Sequence, residues 1–160
     1  MSEKTNVMRL LDQKKSPYKE FYYNGEGLSG EQIAEVLNEP VERVFKTLVT
    51  VSKSGKNYVF MVPVAEELDL KRAAKAVSEK SIDMIKSKEL LPLTGYIHGG
   101  CSTIGMKKAF PTVIDETANN FEKIFFSAGR VGAQVEVSVK DLQKAVRLKF
   151  ESITVREETL

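Results

Sequence analysis

Apolar and polar residues follow two different periods along this chain, and the changes of period divide it into short helices and short strands. A spacing of three to four residues predicts helices at residues 6–15 and 70–77. Runs of β-branched and aromatic residues predict strands at residues 44–52 and 58–64. The polar stretch between these two strands contains a glycine, Gly55, so we expect the strands to form a hairpin.

Serine and aspartate residues mark where several helices begin. Ser29 and Gln32 form a capping-box pattern ahead of a helix whose buried face we assign to Ile33, Ala34, Val36 and Leu37. Asp69 is expected to cap the helix at residues 70–77. Ser138 is expected to cap a helix at residues 139–146.

The remaining segments complete an alternating pattern. Short strands are predicted at residues 18–23, 112–115, 123–127, 134–137 and 150–155, with a helical turn at residues 88–93. These segments are too short and hairpin-like for a doubly wound parallel sheet. We therefore expect an α/β protein of the mixed α+β type. Residues 1–160 would form one compact domain around a mixed, mostly antiparallel and barrel-like sheet with flanking helices.

The composition indicates a globular protein and excludes several classes. Hydrophobic residues make up 42% of the chain and charged residues 29%, which is ordinary for a soluble domain. The net charge of +2 neither requires nor opposes a nucleic-acid partner. The single cysteine excludes an intrachain disulfide framework. Because no apolar run is long enough to span a membrane and no signal peptide is visible, we expect a cytoplasmic protein.

Residues 94–108 are the most distinctive part of the chain. This block holds four glycines and ends in two adjacent lysines, Lys107 and Lys108. Glycine allows the backbone to approach a ligand closely, and nearby lysines and N–H groups suit an anionic or ester-bearing ligand. The block is therefore either a binding loop or a tight turn without a ligand.

Few side chains are candidates for chemistry. Lys46 lies within a predicted strand on the same face as Val44 and Leu48, and it either faces solvent or points into a polar pocket. His98 is the single histidine, so no metal site of the usual spacing can be assembled with Cys101. A Cys–His nucleophilic pair is possible in principle, but a glycine-rich loop does not obviously direct the two side chains at each other.

A set of short motifs extends over nearly the whole chain. The motifs are VFKTL at 44–48, PVA at 63–65, LDLK at 68–71, TGY at 94–96, GG at 99–100, IG at 104–105, KK at 107–108, PTVID at 111–115 and SAG at 127–129. In order and spacing they resemble the YbaK/EbsC branch of the prolyl-tRNA-editing superfamily, the Cys-tRNA(Pro)/Cys-tRNA(Cys) deacylases. Each motif is weak alone, but together they favour a functional role for Lys46.

The resemblance implies a freestanding trans-editing deacylase. Such a protein cleaves the ester between a wrong amino acid, chiefly cysteine, and the terminal adenosine of proline tRNA, without a metal or cofactor. Lys46 would hold the tRNA terminus, and the backbone at Gly99 and Gly100 would approach the aminoacyl group. By the same resemblance, residues at five further positions would bind substrate. They are Tyr23, Ser29, Ser127, Gly129 and Gln134.

Two of these positions depart from the family pattern. Ser29 stands where close members carry an aromatic residue, and Gln134 stands where some carry an aspartate. The departures concern substrate preference more than reaction type.

Because no convincing protein nucleophile is visible, the substrate's own thiol is expected to attack its carbonyl, and Cys101 is expected to be dispensable. Two alternatives stay open: a deacylase for another small aminoacyl group, such as Ala-tRNA(Pro), using a positioned water, or a non-catalytic tRNA-binding or regulatory protein. The acceptor end of the tRNA would be the main partner, and the family precedent adds prolyl-tRNA synthetase as a second. Basic residues could contact the acceptor stem, namely Lys71, Arg72, Lys75, Lys86, Lys88, Lys107 and Lys108.

Overall fold

The computed structural model describes residues 4–155 of the chain. In chain order its elements are α1 (Asn6–Gln13), β1 (Tyr18–Tyr22), α2 (Gly30–Leu37), β2 (Phe45–Ser52), β3 (Asn57–Pro63), α3 (Leu70–Ala76), β4 (Ile82–Met84), α4 (Ser87–Thr94), β5 (Thr112–Asp115), β6 (Lys123–Ser127), β7 (Ala133–Ser138), α5 (Val139–Ala145) and β8 (Leu148–Glu151). Short 3₁₀ turns precede β2 and follow β5. Within residues 4–155, no helix is long and apolar enough to cross a membrane.

The strands form two sheets that meet at one point. One sheet has the order β1-β7-β6, and the other has the order β4-β2-β3-β5-β8. The pairs β3–β5 and β5–β8 are parallel, and the other described strand pairs are antiparallel. Among residues 4–155, a single parallel bridge, Val44 to Phe125, joins the two sheets. The mixed α+β prediction is thus confirmed, although the strands do not close into a barrel.

The predicted helix caps are present. The Ser29 side chain accepts a hydrogen bond from the Gln32 N–H at 3.1 Å, and the Gln32 side chain accepts from the Ser29 N–H at 2.8 Å. Asp69 accepts from the first N–H groups of α3, and Ser138 accepts from the Asp141 N–H. These bonds satisfy helix donors that have no partner inside the helix, and they set where each helix begins.

Three apolar clusters hold the sheets and helices together. The main cluster packs α1 and α5 against both sheets, and a second lies beneath α3. A third, smaller cluster lies beneath α2 at the junction of the sheets and is formed by Ala34, Val44, Val64 and Phe125. This third cluster matters for function because the same face of the junction carries the candidate site.

Three details of the sequence prediction need correction. Val36 is 54% exposed rather than buried, because it lies two residues from Ala34 and therefore on nearly the opposite side of the helix. The last strand is Leu148–Glu151 rather than 150–155, with Thr154 forming only an isolated bridge to Leu68. Strand β4 was not predicted, since its three residues are too few to show a period.

Candidate active site at the junction of the two sheets

The bridge between Val44 and Phe125 brings two predicted site residues onto one face. Both bridge residues belong to the apolar cluster beneath α2. Side chains two positions apart on a strand point to the same side. Lys46 lies two residues after Val44, and Ser127 lies two residues after Phe125. Because the bridge is parallel, the two side chains lie on this same face and at a similar distance along their strands from the bridge.

The Lys46 ammonium group has no partner within the described part of the chain. The residue is partly buried, and residues 4–155 provide no hydrogen bond or ion pair to its side chain. Arg43, nearby in sequence, is different: it donates to Glu39 and to Glu136, each at 2.8 Å. The cation of Arg43 is therefore neutralised internally, whereas that of Lys46 is available for a ligand.

Gln134 lies opposite Ser127 in the antiparallel pair of β6 and β7, so its side chain shares the same face. It is 5% exposed, and its Oε1 atom has no hydrogen-bond partner among the described residues. The Tyr23 hydroxyl interacts with the Gln134 side chain. Burial raises the pKa of Tyr23, and the bond from Gln134 partly opposes that shift.

The loop that follows Ser127 contacts two other loops through glycines. A Cβ at Gly132 would lie 2.6 Å from the carbonyl oxygen of Tyr23, and a Cβ at Gly100 would lie 2.9 Å from the backbone of Arg130. These contacts bring both Tyr23 and the Gly99–Gly100 turn against the 128–132 loop. Such close approaches exclude any larger residue at both positions.

The Gly99–Gly100 turn exposes some of its backbone donors and uses others. Gly99 has φ +86°, a left-handed conformation that favours glycine. The Gly100 N–H donates to the Ile97 carbonyl at 3.0 Å, so this group closes the turn itself. No hydrogen bond within residues 4–155 involves the N–H of Gly99 or of Cys101. These two groups are therefore the available donors of the turn.

Tyr96 fixes the glycine-rich loop, a role that the sequence reasoning missed. Its hydroxyl donates to the Ile104 carbonyl at 2.5 Å, and a Cβ at Gly105 would lie 2.8 Å from that hydroxyl oxygen. A Cβ at Gly129 would lie 3.2 Å from the tyrosine ring. The TGY motif signalled that Tyr96 matters, but its contacts depend on how two distant loops pack.

Two predicted substrate-binding residues have evident structural contacts. The Ser29 hydroxyl is engaged in the α2 cap, and the residue is exposed at the start of that helix. Gly129 has φ +99° and packs against Tyr96 and Val7, while its N–H donates to the Ser127 Oγ at 3.1 Å. The Gly129 N–H group therefore orients the Ser127 hydroxyl.

Cys101 and His98 do not form a catalytic pair. Cys101 is partly buried, and burial raises the pKa of its thiol to about 12. A hydrogen bond from Thr94 opposes that shift only in part. His98 is exposed, and within residues 4–155 no hydrogen bond joins the two side chains. Across the same residues, no group of three histidine, cysteine, aspartate or glutamate side chains could hold a metal ion.

Comparison with known proteins places the chain in a family. Residues 26–145 match the family model of the aminoacyl-tRNA editing domain. The chain is also 44% identical over 157 residues to an Enterococcus faecalis (strain ATCC 700802 / V583) protein named "Putative Cys-tRNA(Pro)/Cys-tRNA(Cys) deacylase EbsC", covering 97% of this chain and 96% of that protein. The protein therefore belongs to the aminoacyl-tRNA editing domain family, in its YbaK/EbsC branch.

Solved structures share the fold. The crystal structure of "hypothetical protein APE2540" matches with a TM-score of 0.86 at 18% identity, covering 94% of this chain and all of the other. A second crystal structure, described as "a putative trans-editing enzyme for prolyl tRNA synthetase", matches with a TM-score of 0.80 at 20% identity, covering 95% and 99% of the two chains. These likenesses confirm the editing-domain fold expected from the sequence.

Proposed function

We propose that this protein is a trans-editing deacylase that cleaves the ester of mischarged cysteinyl-tRNA(Pro), with Cys-tRNA(Cys) as a second substrate. Family membership and the name of the Enterococcus relative support the reaction class. The observation that carries the proposal is the unpaired Lys46 ammonium beside Ser127, at the junction of the two sheets. A partly buried cation without a counter-ion is well suited to an anionic ligand such as a tRNA terminus.

Gln134 supplies a second polar contact in this proposal. Its buried Oε1 has no partner, and leaving a buried acceptor unpaired costs about 1–3 kcal/mol. The α-ammonium group of an aminoacyl ester is a donor that would satisfy this atom once a movement of the surrounding side chains uncovers it. A glutamine at this position offers a neutral acceptor where an aspartate would offer a charged one, so Gln134 would orient the amino group without forming an ion pair.

The reaction itself needs little from protein side chains. The sulfur of the cysteinyl group attacks its own carbonyl carbon, the ester C–O bond breaks, and the ribose oxygen leaves with a proton. The product is a four-membered cyclic thioester, which water opens afterwards. Well-oriented intramolecular attack has an effective molarity of about 10⁵ M or more. The protein's contribution is to hold the ester in the reactive geometry.

Backbone donors would stabilise the negative charge that develops on the carbonyl oxygen. The N–H groups of Gly99 and Cys101 are the available ones, because the Gly100 N–H is used within the turn. One preorganised donor typically contributes about 10²–10³ in rate. Of the Gly99–Gly100 backbone expected to approach the aminoacyl group, the proposal keeps the Gly99 N–H as an oxyanion donor and puts the Cys101 N–H in place of that of Gly100. Gly100 keeps the role of setting the turn against the 128–132 loop.

Attack by the substrate thiol agrees with the state of Cys101. A thiol with a pKa of about 12 is protonated near pH 7 and is a poor nucleophile. The reaction expels the ribose oxygen without adding water in that step, which would class the enzyme as a lyase rather than a hydrolase. Alanine lacks a thiol, so alanyl-tRNA(Pro) would be cleaved only with a positioned water.

The binding of tRNA would use the exposed basic side chains. All seven basic residues predicted to contact the acceptor stem are exposed in the structure. Three lie on α3, and Arg72 of this group also pairs with Asp69 at 3.6 Å. Contacts of this kind position the tRNA without reading its sequence, so selection of proline tRNA is proposed to depend on a prolyl-tRNA synthetase partner.

Deacylation assays with Lys46 variants test the proposal. We expect Lys46→Ala to lower kcat/KM for cysteinyl-tRNA(Pro) by about 10- to 150-fold, the loss of one hydrogen bond to a charged group. Its thermal stability should be unchanged, because the ammonium has no internal partner. Lys53→Ala, an exposed lysine in the β2–β3 turn, is the matched control and should retain the parent rate.

Comparing cysteinyl-tRNA(Pro) with alanyl-tRNA(Pro) as substrates tests the mechanism. Cysteine-selective cleavage that depends on Lys46 supports both the function and attack by the substrate thiol. Comparable cleavage of alanyl-tRNA(Pro) would contradict the thiol mechanism. Binding of tRNA by a folded protein without cleavage of either ester, tested with and without prolyl-tRNA synthetase, would favour the non-catalytic alternative.

A further inference from the structure

Arg43 is the last residue before the bridge between the two sheets, and its guanidinium group makes four contacts there. Nη1 donates to Glu39 Oε1 and Nη2 donates to Glu136 Oε2, each at 2.8 Å, and Nε donates to the Lys123 carbonyl at 3.2 Å. The guanidinium carbon also lies 5.0 Å from the centroid of the Phe125 ring. One side chain therefore connects the segment after α2 to strands β6 and β7.

The contacts of Arg43 lie at the level of the bridge itself. Glu136 pairs with Phe125 in the antiparallel register of β6 and β7, and Phe125 is the residue that bridges to Val44. Lys123 is two residues earlier on the same strand as Phe125. Because the guanidinium is planar and rigid, its donors fix both the direction and the distance of the groups that they bind. The Arg43 side chain therefore adds three directed hydrogen bonds to the single backbone bridge that joins the sheets among residues 4–155.

The candidate active site is divided between the two sheets that Arg43 connects. Lys46 belongs to the five-stranded sheet, whereas Ser127 and Gln134 belong to the three-stranded sheet. The glycine turn packs against the loop that follows Ser127, so its available N–H donors move with the three-stranded sheet. In the proposed function, the half with Lys46 would hold the tRNA terminus and the other half would stabilise the reacting carbonyl. Cleavage then requires that the two halves be aligned.

We propose that Arg43 is a positioning residue for this reaction, which aligns the Lys46 half of the site with the half that carries Ser127 and Gln134. The inference rests on the proposed function and adds a residue to it. Arg43 acts through the junction and does not touch substrate, because its donors are already occupied by protein acceptors. If Arg43 contributed to stability alone, its loss would lower the Tm but leave the catalytic constants of the folded protein unchanged.

Steady-state kinetics of Arg43→Met, measured below every thermal transition, test this role. We expect kcat for cysteinyl-tRNA(Pro) to fall by about 10²-fold, the cost of a misplacement of about 1 Å near the reacting group. KM should change by less than about threefold, because the groups that bind tRNA all remain. Lys144→Met is the control: it removes an ion pair with Asp141 on α5, at 3.4 Å, and should keep the parent kcat and Tm.

Two double variants separate positioning from stability. In the Arg43→Met protein, adding Lys46→Ala should cost at least about tenfold less in kcat/KM than it does in the parent, because a misaligned ammonium has less to lose. Adding Glu136→Gln to Arg43→Met removes the carboxylate that the first substitution leaves unpaired, so most of the Tm should return. The kcat should stay low, because the directed contacts of the guanidinium are still missing.

Protein NMR gives a readout of the junction that does not depend on catalysis. The parent should show a nuclear Overhauser contact between backbone protons of Val44 and Phe125. In Arg43→Met this contact should weaken, and the amide signal of Ser127 should shift.

Four results would each overturn the inference about Arg43. They are an unchanged Val44–Phe125 contact in Arg43→Met, the parent kcat in that variant, additive losses in the double-variant cycle, and recovery of kcat together with the Tm. A parent protein that cleaves no cysteinyl ester would overturn the proposed function and, with it, the reaction that Arg43 positions. A parent that cleaves the ester beside an equally active Arg43→Met protein would overturn the inference alone.

Discussion

Replacing Gly100 with alanine tests whether the glycine turn is positioned by its contact with the neighbouring loop. The added Cβ would lie 2.9 Å from the Cα and carbonyl carbon of Arg130 and from the nitrogen of Val131. All three are backbone atoms, so no side-chain rotation relieves the overlap. The turn and the 128–132 loop must separate by a few tenths of an ångström or more.

The size of the effect follows from the contact. Adding a methyl group to a well-packed site costs about 1–3 kcal/mol, and a contact with rigid backbone belongs in the upper part of that range, about 2–3 kcal/mol. For a chain of this size, 1 kcal/mol moves the Tm by roughly 2–4 °C. We therefore expect Gly100→Ala to lower the Tm by roughly 4–12 °C. Its deacylation rate should fall further, since a misplacement of 1 Å near the reacting group can cost about 10² in rate.

Gly27→Ala is the matched control for this experiment. Gly27 has φ +72° and open space around its Cα, so alanine there meets only the conformational cost. That variant should lose about 1–2 kcal/mol of stability and keep the parent deacylation rate. Thermal unfolding followed by circular dichroism, with a deacylation assay at a temperature below both transitions, measures both quantities. A Gly100→Ala protein with the parent Tm would refute the packing argument, and a destabilised but fully active one would refute the positioning role.

Two further predictions concern Cys101 and Ser29. Cys101→Ser should deacylate cysteinyl-tRNA(Pro) at nearly the parent rate. Iodoacetamide should alkylate Cys101 in the folded parent far more slowly than in the urea-unfolded chain at pH 8. Loss of activity in a folded Cys101→Ser protein, or equal alkylation rates, would count against an inert thiol. Folding raises the pKa of this thiol to about 12. The contribution of the protonated thiol to the free energy of unfolding should therefore be complete below about pH 8.5, the pKa of the thiol in the unfolded chain, and should be lost as the pH rises towards 12. Urea titrations at increasing pH would detect this loss. Ser29→Ala should lower the Tm by roughly 2–4 °C through loss of an N-cap worth about 1 kcal/mol, with little change in kcat/KM; a large rise in KM would instead indicate that Ser29 contacts substrate.

The fold was predictable from the sequence wherever local patterns decide it. The β2–β3 hairpin and the caps at Ser29, Asp69 and Ser138 were read correctly, because each depends on residues close together in the chain. The division into two sheets was not predicted. It depends on the pairing of Val44, the residue just before β2, with Phe125 of β6, which are 81 residues apart and form the one bridge between the sheets among the described residues. Sequence periodicity carries no information about such long-range pairing.

The candidate site shows the same limit more strongly. Periodicity left Lys46 either on the surface or in a pocket, and the resemblance alone gave it a role. The structure adds that Lys46 has no counter-ion among the described residues and shares a face with Ser127. The hydrogen bond from the Tyr96 hydroxyl to Ile104 and the hydrogen bond from the Gly100 N–H to Ile97 both depend on loop geometry. Neither leaves a periodic or compositional signal.

A site with so few reactive side chains has a consequence for selectivity. A pocket that distinguishes substrates by one extra atom gains only about 1–3 kcal/mol, or about 10- to 200-fold. When the attacking group belongs to the substrate, an amino acid without a thiol cannot react however well it binds. In the proposed function, the Lys46 ammonium, the Gln134 Oε1 and the N–H groups of Gly99 and Cys101 would contact parts that every aminoacyl-tRNA shares. The proposed preference for cysteine would therefore arise in the chemical step, and an alanyl ester should act as a competitive inhibitor that the enzyme does not cleave.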